Sequence, residues 1–150
     1  MPQHKSLLSG VKAGQPALTR AMELQRKAST VGFDWNDPRA VIAKIREEID
    51  ELEAELDAAD AAPAAATRGS AAPSPALAAR QEEELGNVLF AVANLARHLA
   101  IDPEKALRGT NDKFRRRFAH IERRLAEAGR TPAEATLDEM EALLVEAKGK

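Results

Sequence analysis

A run of apolar residues at helical spacing, placed directly after a strong helix start, constrains the fold of this chain more than any other feature. Asp37 is suited to cap free backbone N–H groups, and Pro38 is suited to the first helical turn. The apolar residues that follow recur along one side of a helix: Val41, Ile42, Ile45, Ile49, Leu52 and Leu56. The pattern predicts a long amphipathic helix.

Four other segments also have helical spacing, and no stretch alternates with the period of two that is typical of a β-strand. Two of these segments start with a further cap or proline signal, and one run, VLFAVANLA, is apolar around much of the helix. A helix buried on more than one side in so small a protein indicates a subunit interface. The expected bounds are 16–32, 75 or 78 to 100, 102–129 and 136–148. The sequence therefore predicts an all-α protein.

The expected domain organisation is one helical domain over residues 16–150, preceded by an N-terminal tail at 1–15, because 150 residues suit a single core. Between about 58 and 79 the helical pattern disappears into a stretch rich in Ala and Pro. Such a stretch has little to bury and contains helix breakers, so it predicts a flexible linker between two helices.

Composition excludes several classes of function. The chain has no cysteine, which excludes disulfides and thiol chemistry, and its net charge of -2 gives no overall attraction to nucleic acid or an acidic membrane surface. No apolar run reaches the roughly 18 residues of a membrane span, and MPQHKSLLSG lacks the apolar core of a signal peptide. A cytoplasmic protein with no membrane or nucleic-acid partner is expected.

Oxygen-bearing side chains lie on one flank of each of two predicted helices. Glu48 and Glu51 flank the first apolar stripe, and Glu84 and Asn87 flank the stripe of the helix after the linker. Residues three apart lie on the same side of a helix, so each pair can present oxygen ligands in one direction. Such a set could hold a hard cation such as Mg²⁺. Taken alone, each flank is more often simply solvated.

A basic flank and an aromatic loop are two further candidate sites. Lys113, Arg117 and Arg124 share a helix flank with His120, whereas Arg115 and Arg116 are expected to point elsewhere. Lys and Arg in this arrangement could bind phosphate, although a solvated face is the commoner explanation. The loop containing Phe33 and Trp35 is interpreted as a plug over the core, with a stacking surface for a base as the alternative.

The longer stretches around these residues resemble one family. The sequence contains EExxE at Glu47 to Glu51, followed by ExxN at Glu84 to Asn87, where the family's metal signature has ExxD. The chain resembles the MazG nucleoside triphosphate pyrophosphohydrolases, specifically the C-terminal domain of the two-domain bacterial enzymes. The stretches that carry the resemblance are PALTRAMELQRKASTVGFDW, KIREEIDELEAEL, EELGNVLFAVANLARHLAIDPEKALRGTNDKFRRRF and EMEALLVEAK.

This resemblance implies an all-α bundle, forming an intertwined homodimer, that hydrolyses nucleoside triphosphates to monophosphate and pyrophosphate with Mg²⁺, for which Mn²⁺ could substitute. The implied catalytic residues are Glu47, Glu48, Glu51 and Glu84. The implied metal ligands are Glu48, Glu51, Glu84 and Asn87. The implied nucleotide and phosphate contacts are Lys113, Arg117 and Lys148.

Three departures from the family pattern bear on activity. Asn87 replaces the expected Asp, Leu144 stands where relatives often have Trp, and the stretch between Glu51 and Glu84 is longer than usual. An amide oxygen can bind Mg²⁺ but adds no negative charge and cannot act as a base, so weaker metal binding and reduced turnover are expected. The alternative is a non-catalytic module that binds nucleotide or forms a dimer. A narrower phosphoribosyl-ATP or deoxynucleotide pyrophosphohydrolase fits the flanking stretches less well.

Overall fold

The computed structural model describes residues 5–60 and 74–149. These residues form α-helices and two short 3-10 helices, with no β-strand among them, so the all-α prediction is confirmed. The α-helices are α1 (Ala17–Ser29), α2 (Pro38–Asp60), α3 (Pro75–His98), α4 (Pro103–Glu127) and α5 (Leu137–Lys148). The 3-10 helices are Leu7–Gly10 and Pro132–Glu134.

The predicted helix starts are built as the sequence indicates. The Asp37 carboxylate accepts a hydrogen bond from the backbone N–H of Ala40 at 3.0 Å, which caps α2. Thr131 and Thr136 both form capping boxes, with Glu134 and Glu139 as their partners.

The ends of the expected linker and tail are more ordered than predicted. Residues 58–60 belong to α2 and residues 75–79 belong to α3, which Ser74 caps, while the rest of the predicted linker, 61–73, lies outside the described residues. Within the predicted tail, Ser6 caps the 3-10 helix Leu7–Gly10, and the next residue, Val11, is buried. The sequence of residues 6–11 has no pattern that predicted the Ser6 cap or the burial of Val11.

The described residues up to Pro103 form one compact unit, and those from Glu104 onward form another. In the first unit α2 and α3 lie antiparallel, since Glu55 near the end of α2 pairs with Arg80 near the start of α3. Helix α1 packs on α3, and the side chain of Gln25 donates a hydrogen bond to the carbonyl of Phe90 at 2.9 Å. That residues 16–150 make one domain stays a prediction.

The packed face of α3 is not the face that its apolar pattern indicated. Leu85, Leu89 and Val92 were predicted to face the core but are exposed, while Ala91, Ala93 and Asn94 are buried. Because apolar residues surround much of this helix, their spacing does not determine which side meets α2. Small side chains let packed helices approach closely, and Ala91 and Ala93 lie on the buried side of α3.

Helix α3 ends in a left-handed turn and α4 begins almost at once. Ala100 has φ of 56°, and the N–H of Ile101 bonds the carbonyl of Ala96 at 2.9 Å, which closes the helix end. In the second unit, Ile121 and Leu125 of α4 are buried. An ion pair between Arg130 and Glu139 connects the turn after α4 to the start of α5. Of the helices described, none is long and apolar enough to cross a membrane.

Candidate metal and phosphate sites

Three carboxylates predicted as metal ligands meet between α2 and α3. Glu48 and Glu51 lie one turn apart on α2, and Glu84 lies opposite them on α3. One carboxylate oxygen from each lies within 4.8 Å of the others, and we call this group the acidic cluster. Glu47, predicted to act with them, points outward and pairs with Lys44 instead. The antiparallel packing of the two helices therefore assembles three of the four predicted acidic residues.

The acidic cluster contains buried oxygen atoms that have no partner. Glu48 is only 7% exposed, and its Oε2 atom, like Oε2 of Glu84, is buried with no hydrogen-bond donor in reach. A buried acceptor without a partner destabilises a protein by about 1–3 kcal/mol, and more when it is charged. A divalent cation bound between these oxygens would remove that penalty. The donor set, all oxygen, fits Mg²⁺ or Mn²⁺.

The charges in the cluster also act on one another. The nearby charge of Glu48, then partial burial, then the charge of Glu84 raise the pKa of Glu51 above its usual value. Like charges held this close favour a proton or a cation between them. The repulsion within the cluster, like its unpartnered oxygens, thus favours a cation bound between the carboxylates.

Lys44 is a member of this site that the sequence interpretation missed. Its ammonium nitrogen lies 3.1 Å from Oε1 of Glu48 and 3.3 Å from Oε1 of Glu47. The hydrogen bond to Glu48, then that to Glu47, raises the pKa of Lys44. The spacing of four residues between Lys44 and Glu48 was the available signal, because residues at that spacing are neighbours on a helix.

A small cavity of about 80 Å³ opens beside the cluster and is far smaller than the 300–1,000 Å³ of typical ligand pockets. It is large enough for water or a hydrated ion, but not for a nucleotide. Asn87, one turn after Glu84, lines it together with Glu48. Its other lining residues are Trp35, Val41, Lys44, Phe90, Ala91 and Asn94.

The aromatic loop is not a plug over the core. Phe33 is 74% exposed and Trp35 is 40% exposed, so that interpretation is wrong, although Trp35 lines the small cavity. The loop is anchored by Asp34, whose Oδ1 accepts from Arg97 at 2.5 Å and lies 2.9 Å from Nε2 of His98. Burial opposes ionisation of Asp34, but its hydrogen bonds with Arg97 and His98 outweigh that effect and lower its pKa.

In the second unit, all three predicted phosphate contacts lie in one cleft between α4 and α5. Lys113 and Arg117 line it from α4, and Lys148 lines it from α5. Arg116 lines it too, so the expectation that this side chain points elsewhere is wrong. The remaining lining residues are His120 and Ala147, and we call this space, of about 280 Å³, the cationic cleft. Arg124, predicted on the same flank, pairs with Glu127 and Glu146.

Comparison with known proteins places this chain in a family. Residues 36–122, which include the whole acidic cluster, match the family model of the MazG nucleotide pyrophosphohydrolase domain. The chain belongs to the MazG family. The same range covers α2, α3 and the part of α4 that carries Lys113 and Arg117.

Curated relatives agree with this placement. A nucleoside triphosphate pyrophosphohydrolase of Escherichia coli K12 is 39% identical over 141 residues, which are 93% of this chain and 47% of that protein. A nucleoside triphosphate pyrophosphohydrolase/pyrophosphatase MazG of Thermotoga maritima is 36% identical over 134 residues, which are 89% of this chain and 45% of that protein. This MazG chain therefore spans about half the length of these relatives.

Proposed function

We propose that this MazG domain hydrolyses nucleoside triphosphates to nucleoside monophosphate and pyrophosphate, using Mg²⁺ or, as a substitute, Mn²⁺. The observation that carries the proposal is the acidic cluster, with its two buried and unpartnered carboxylate oxygens. Relatives whose names give this activity support it.

In this proposal Glu48, Glu51 and Glu84 hold the ion, and Asn87 adds an amide oxygen from the rim of the small cavity. A bound Mg²⁺ would polarise phosphoryl oxygens and position the attacking water. Glu47 keeps its ion pair with Lys44 and so offsets part of the positive charge that Lys44 brings next to the ligand Glu48. The residues of the acidic cluster contribute the negative charge that selects a divalent cation.

The cationic cleft binds the phosphate groups in this proposal. Lys113 and Arg117 line it from α4 and Lys148 lines it from α5, so positive charge faces the cleft from both helices. Arginine presents a planar fork of donors and lysine a compact charge, and both offset negative charge on a departing pyrophosphate. Arg116 adds a fourth cation.

The chain acts as a homodimer in this proposal. Large apolar side chains of α2 and α3 are exposed in the single chain, where an interface with a second copy would bury them: Ile49, Leu56, Leu85, Leu89, Phe90 and Val92. Exposed apolar surface on this scale is typical of obligate subunit interfaces. Light scattering of the purified chain should give twice the monomer mass, and a monomer at micromolar concentration contradicts the assignment.

The test of the activity is pyrophosphate release from a panel of nucleoside triphosphates, with Mg²⁺ and with EDTA. We expect slow Mg²⁺-dependent release by the wild type, faster release by Asn87→Asp because a fourth carboxylate strengthens metal binding, and none by Glu48→Gln. Release that continues undiminished in EDTA, or in Glu48→Gln, contradicts the proposed role of the cluster.

A second candidate function is a non-catalytic nucleotide-binding module, which Asn87 and Leu144 favour. The amide of Asn87 brings no negative charge to the metal site, and Leu144 cannot stack on a base as an aromatic side chain does. Calorimetry separates the two: nucleotide binding without any product supports the module, and product formation by the wild type excludes it.

A further inference from the structure

His120 has a buried hydrogen-bond donor in the wall of the cationic cleft that no described protein group uses. The residue is 6% exposed, and it lines the cleft together with Lys113, Arg117 and Lys148. One ring nitrogen, Nε2, is buried and has no hydrogen-bond partner. The other, Nδ1, lies 2.8 Å from Nη2 of Arg123.

The contact with Arg123 determines the tautomer of the ring. A guanidinium group has only donors, so Nδ1 must be the acceptor and carries no proton. The ring proton is therefore on Nε2, which makes Nε2 a donor. This buried donor makes no hydrogen bond to any described group, which is unfavourable, and in a cleft lined by cations the partner that fits is an anionic oxygen.

Glu146 lies over this donor. Its Oε1 is 3.3 Å from Nε2 of His120 without hydrogen-bond geometry, and the same atom accepts a hydrogen bond from Nε of Arg124 at 3.1 Å. Glu146 is partly exposed and stands two residues before Lys148 on α5.

We propose that His120 is a further phosphate-binding residue of the cationic cleft, whose Nε2–H donates to a phosphoryl oxygen, and that the Glu146 carboxylate covers this donor until the anion enters. The inference rests on the proposed function, since it takes the cleft to be the phosphate site. It adds one directional hydrogen-bond donor to the cations of the cleft. In it, the Glu146 carboxylate competes with the incoming phosphate for the Nε2–H of His120.

The test is calorimetric titration of the purified chain with inorganic pyrophosphate. His120→Phe should weaken binding about tenfold or more, the usual loss for a hydrogen bond to a charged group, whereas His120→Gln, which keeps a donor, should recover most of the affinity. Glu146→Gln should bind more tightly than the wild type. In the double variant with His120→Phe that gain should be smaller, because the donor that Glu146 covers is gone and only the effect of the removed negative charge is left; an equal gain in both backgrounds contradicts the covering role of Glu146.

A spectroscopic measurement keeps the test independent of folding defects in the variants. In wild-type protein with ¹⁵N-labelled histidine, His120 should show the tautomer with the proton on Nε2. Pyrophosphate should then shift its Nε2 signal, while His98, in the other unit, serves as the internal control. A tautomer with the proton on Nδ1, or an unmoved Nε2 signal at saturation, overturns the inference.

The phosphate role of the cleft and the role of His120 can be refuted separately. If the wild type binds pyrophosphate, Lys113→Met weakens that binding and His120→Phe does not, the cleft is the phosphate site and only the role of His120 is refuted. If the wild type does not bind pyrophosphate at all, the phosphate role of the cleft fails, and the inference about His120 fails with it.

Discussion

Replacing Glu84 by Gln should make the metal-free protein more stable and its response to Mg²⁺ weaker. The substitution keeps the shape of the side chain but removes one negative charge from the acidic cluster. Among the described ion pairs none involves Glu84, so no favourable pairing is lost with the charge. The change therefore isolates the repulsion between Glu84 and its neighbours.

The size of the effect follows from the geometry. Two unit charges 4.8 Å apart repel by about 0.9 kcal/mol at the dielectric constant of water and by about 3.5 kcal/mol at an effective value of about 20. Because Glu84 is only half-buried, we expect the lower end, a gain of about 1 kcal/mol in the free energy of unfolding in EDTA.

Mg²⁺ should cancel this advantage. At one hundred times its dissociation constant a ligand stabilises the folded state by about 2.7 kcal/mol. A loss of affinity of about tenfold on removing one carboxylate would reduce this to about 1.4 kcal/mol at the same Mg²⁺ concentration. The advantage of the variant in EDTA should therefore disappear when Mg²⁺ is added.

The assay is urea denaturation of the wild type and Glu84→Gln, in EDTA and in Mg²⁺, at one fixed protein concentration. Glu83→Gln is the matched control, because Glu83 is the exposed neighbour on the same helix and lies outside the cluster. If Glu84→Gln is less stable than the wild type in EDTA, or gains as much from Mg²⁺, the carboxylates do not form a cation site.

Two further predictions concern single ion pairs. Lys44→Gln should raise the affinity for Mg²⁺ measured by calorimetry, because the ammonium group competes for Glu48; Arg46→Gln, exposed on the same helix, is the control, and equal affinities in all three proteins contradict the competition. Hydrogen bonds from Arg130 and then from the backbone N–H of Thr136 lower the pKa of Glu139 from 4.5 to about 2. A lowered carboxyl pKa adds stability above its unfolded value, so the wild type should lose stability as the pH falls from about 4.5 towards 2. Arg130→Met should make the midpoint of urea denaturation depend less on pH over that range. An unchanged dependence on pH would show that the ion pair contributes nothing to stability.

The sequence predicted the helices well because their signals are local. Caps at Asp37 and Thr136 and the apolar periodicity depend on residues a few positions apart, and the structure has helices where they indicate them. The helix flanks predicted that Glu48, Glu51 and Glu84 could share a cation, and the family resemblance made that prediction more specific, but only the packing of α2 on α3 brings these residues together. That part of the site could not follow from either helix alone.

The features that sequence reasoning missed depend on contacts between distant elements. The buried side of α3 is set by the small side chains of Ala91 and Ala93, which a search for large apolar residues overlooks. The exposure of Phe33 depends on how Arg97 and His98 hold the loop through Asp34. Arg116 lines the cationic cleft because α5 passes beside α4. The position of Arg116 on a helical wheel of α4 gives no information about where α5 lies.

The ion pair between Glu55 and Arg80 has a consequence for changes in the length of the chain between α2 and α3. It joins α2 and α3 at 3.0 Å between the acidic cluster and the ends that lead into residues 61–73. This contact holds α2 against α3 on the side of residues 61–73 where the acidic cluster lies. Doubling the length of a connecting loop adds only about 0.6 kcal/mol of closure entropy. A change in the number of residues between the two helices should therefore alter stability little, provided that the pairing of Glu55 with Arg80 is kept.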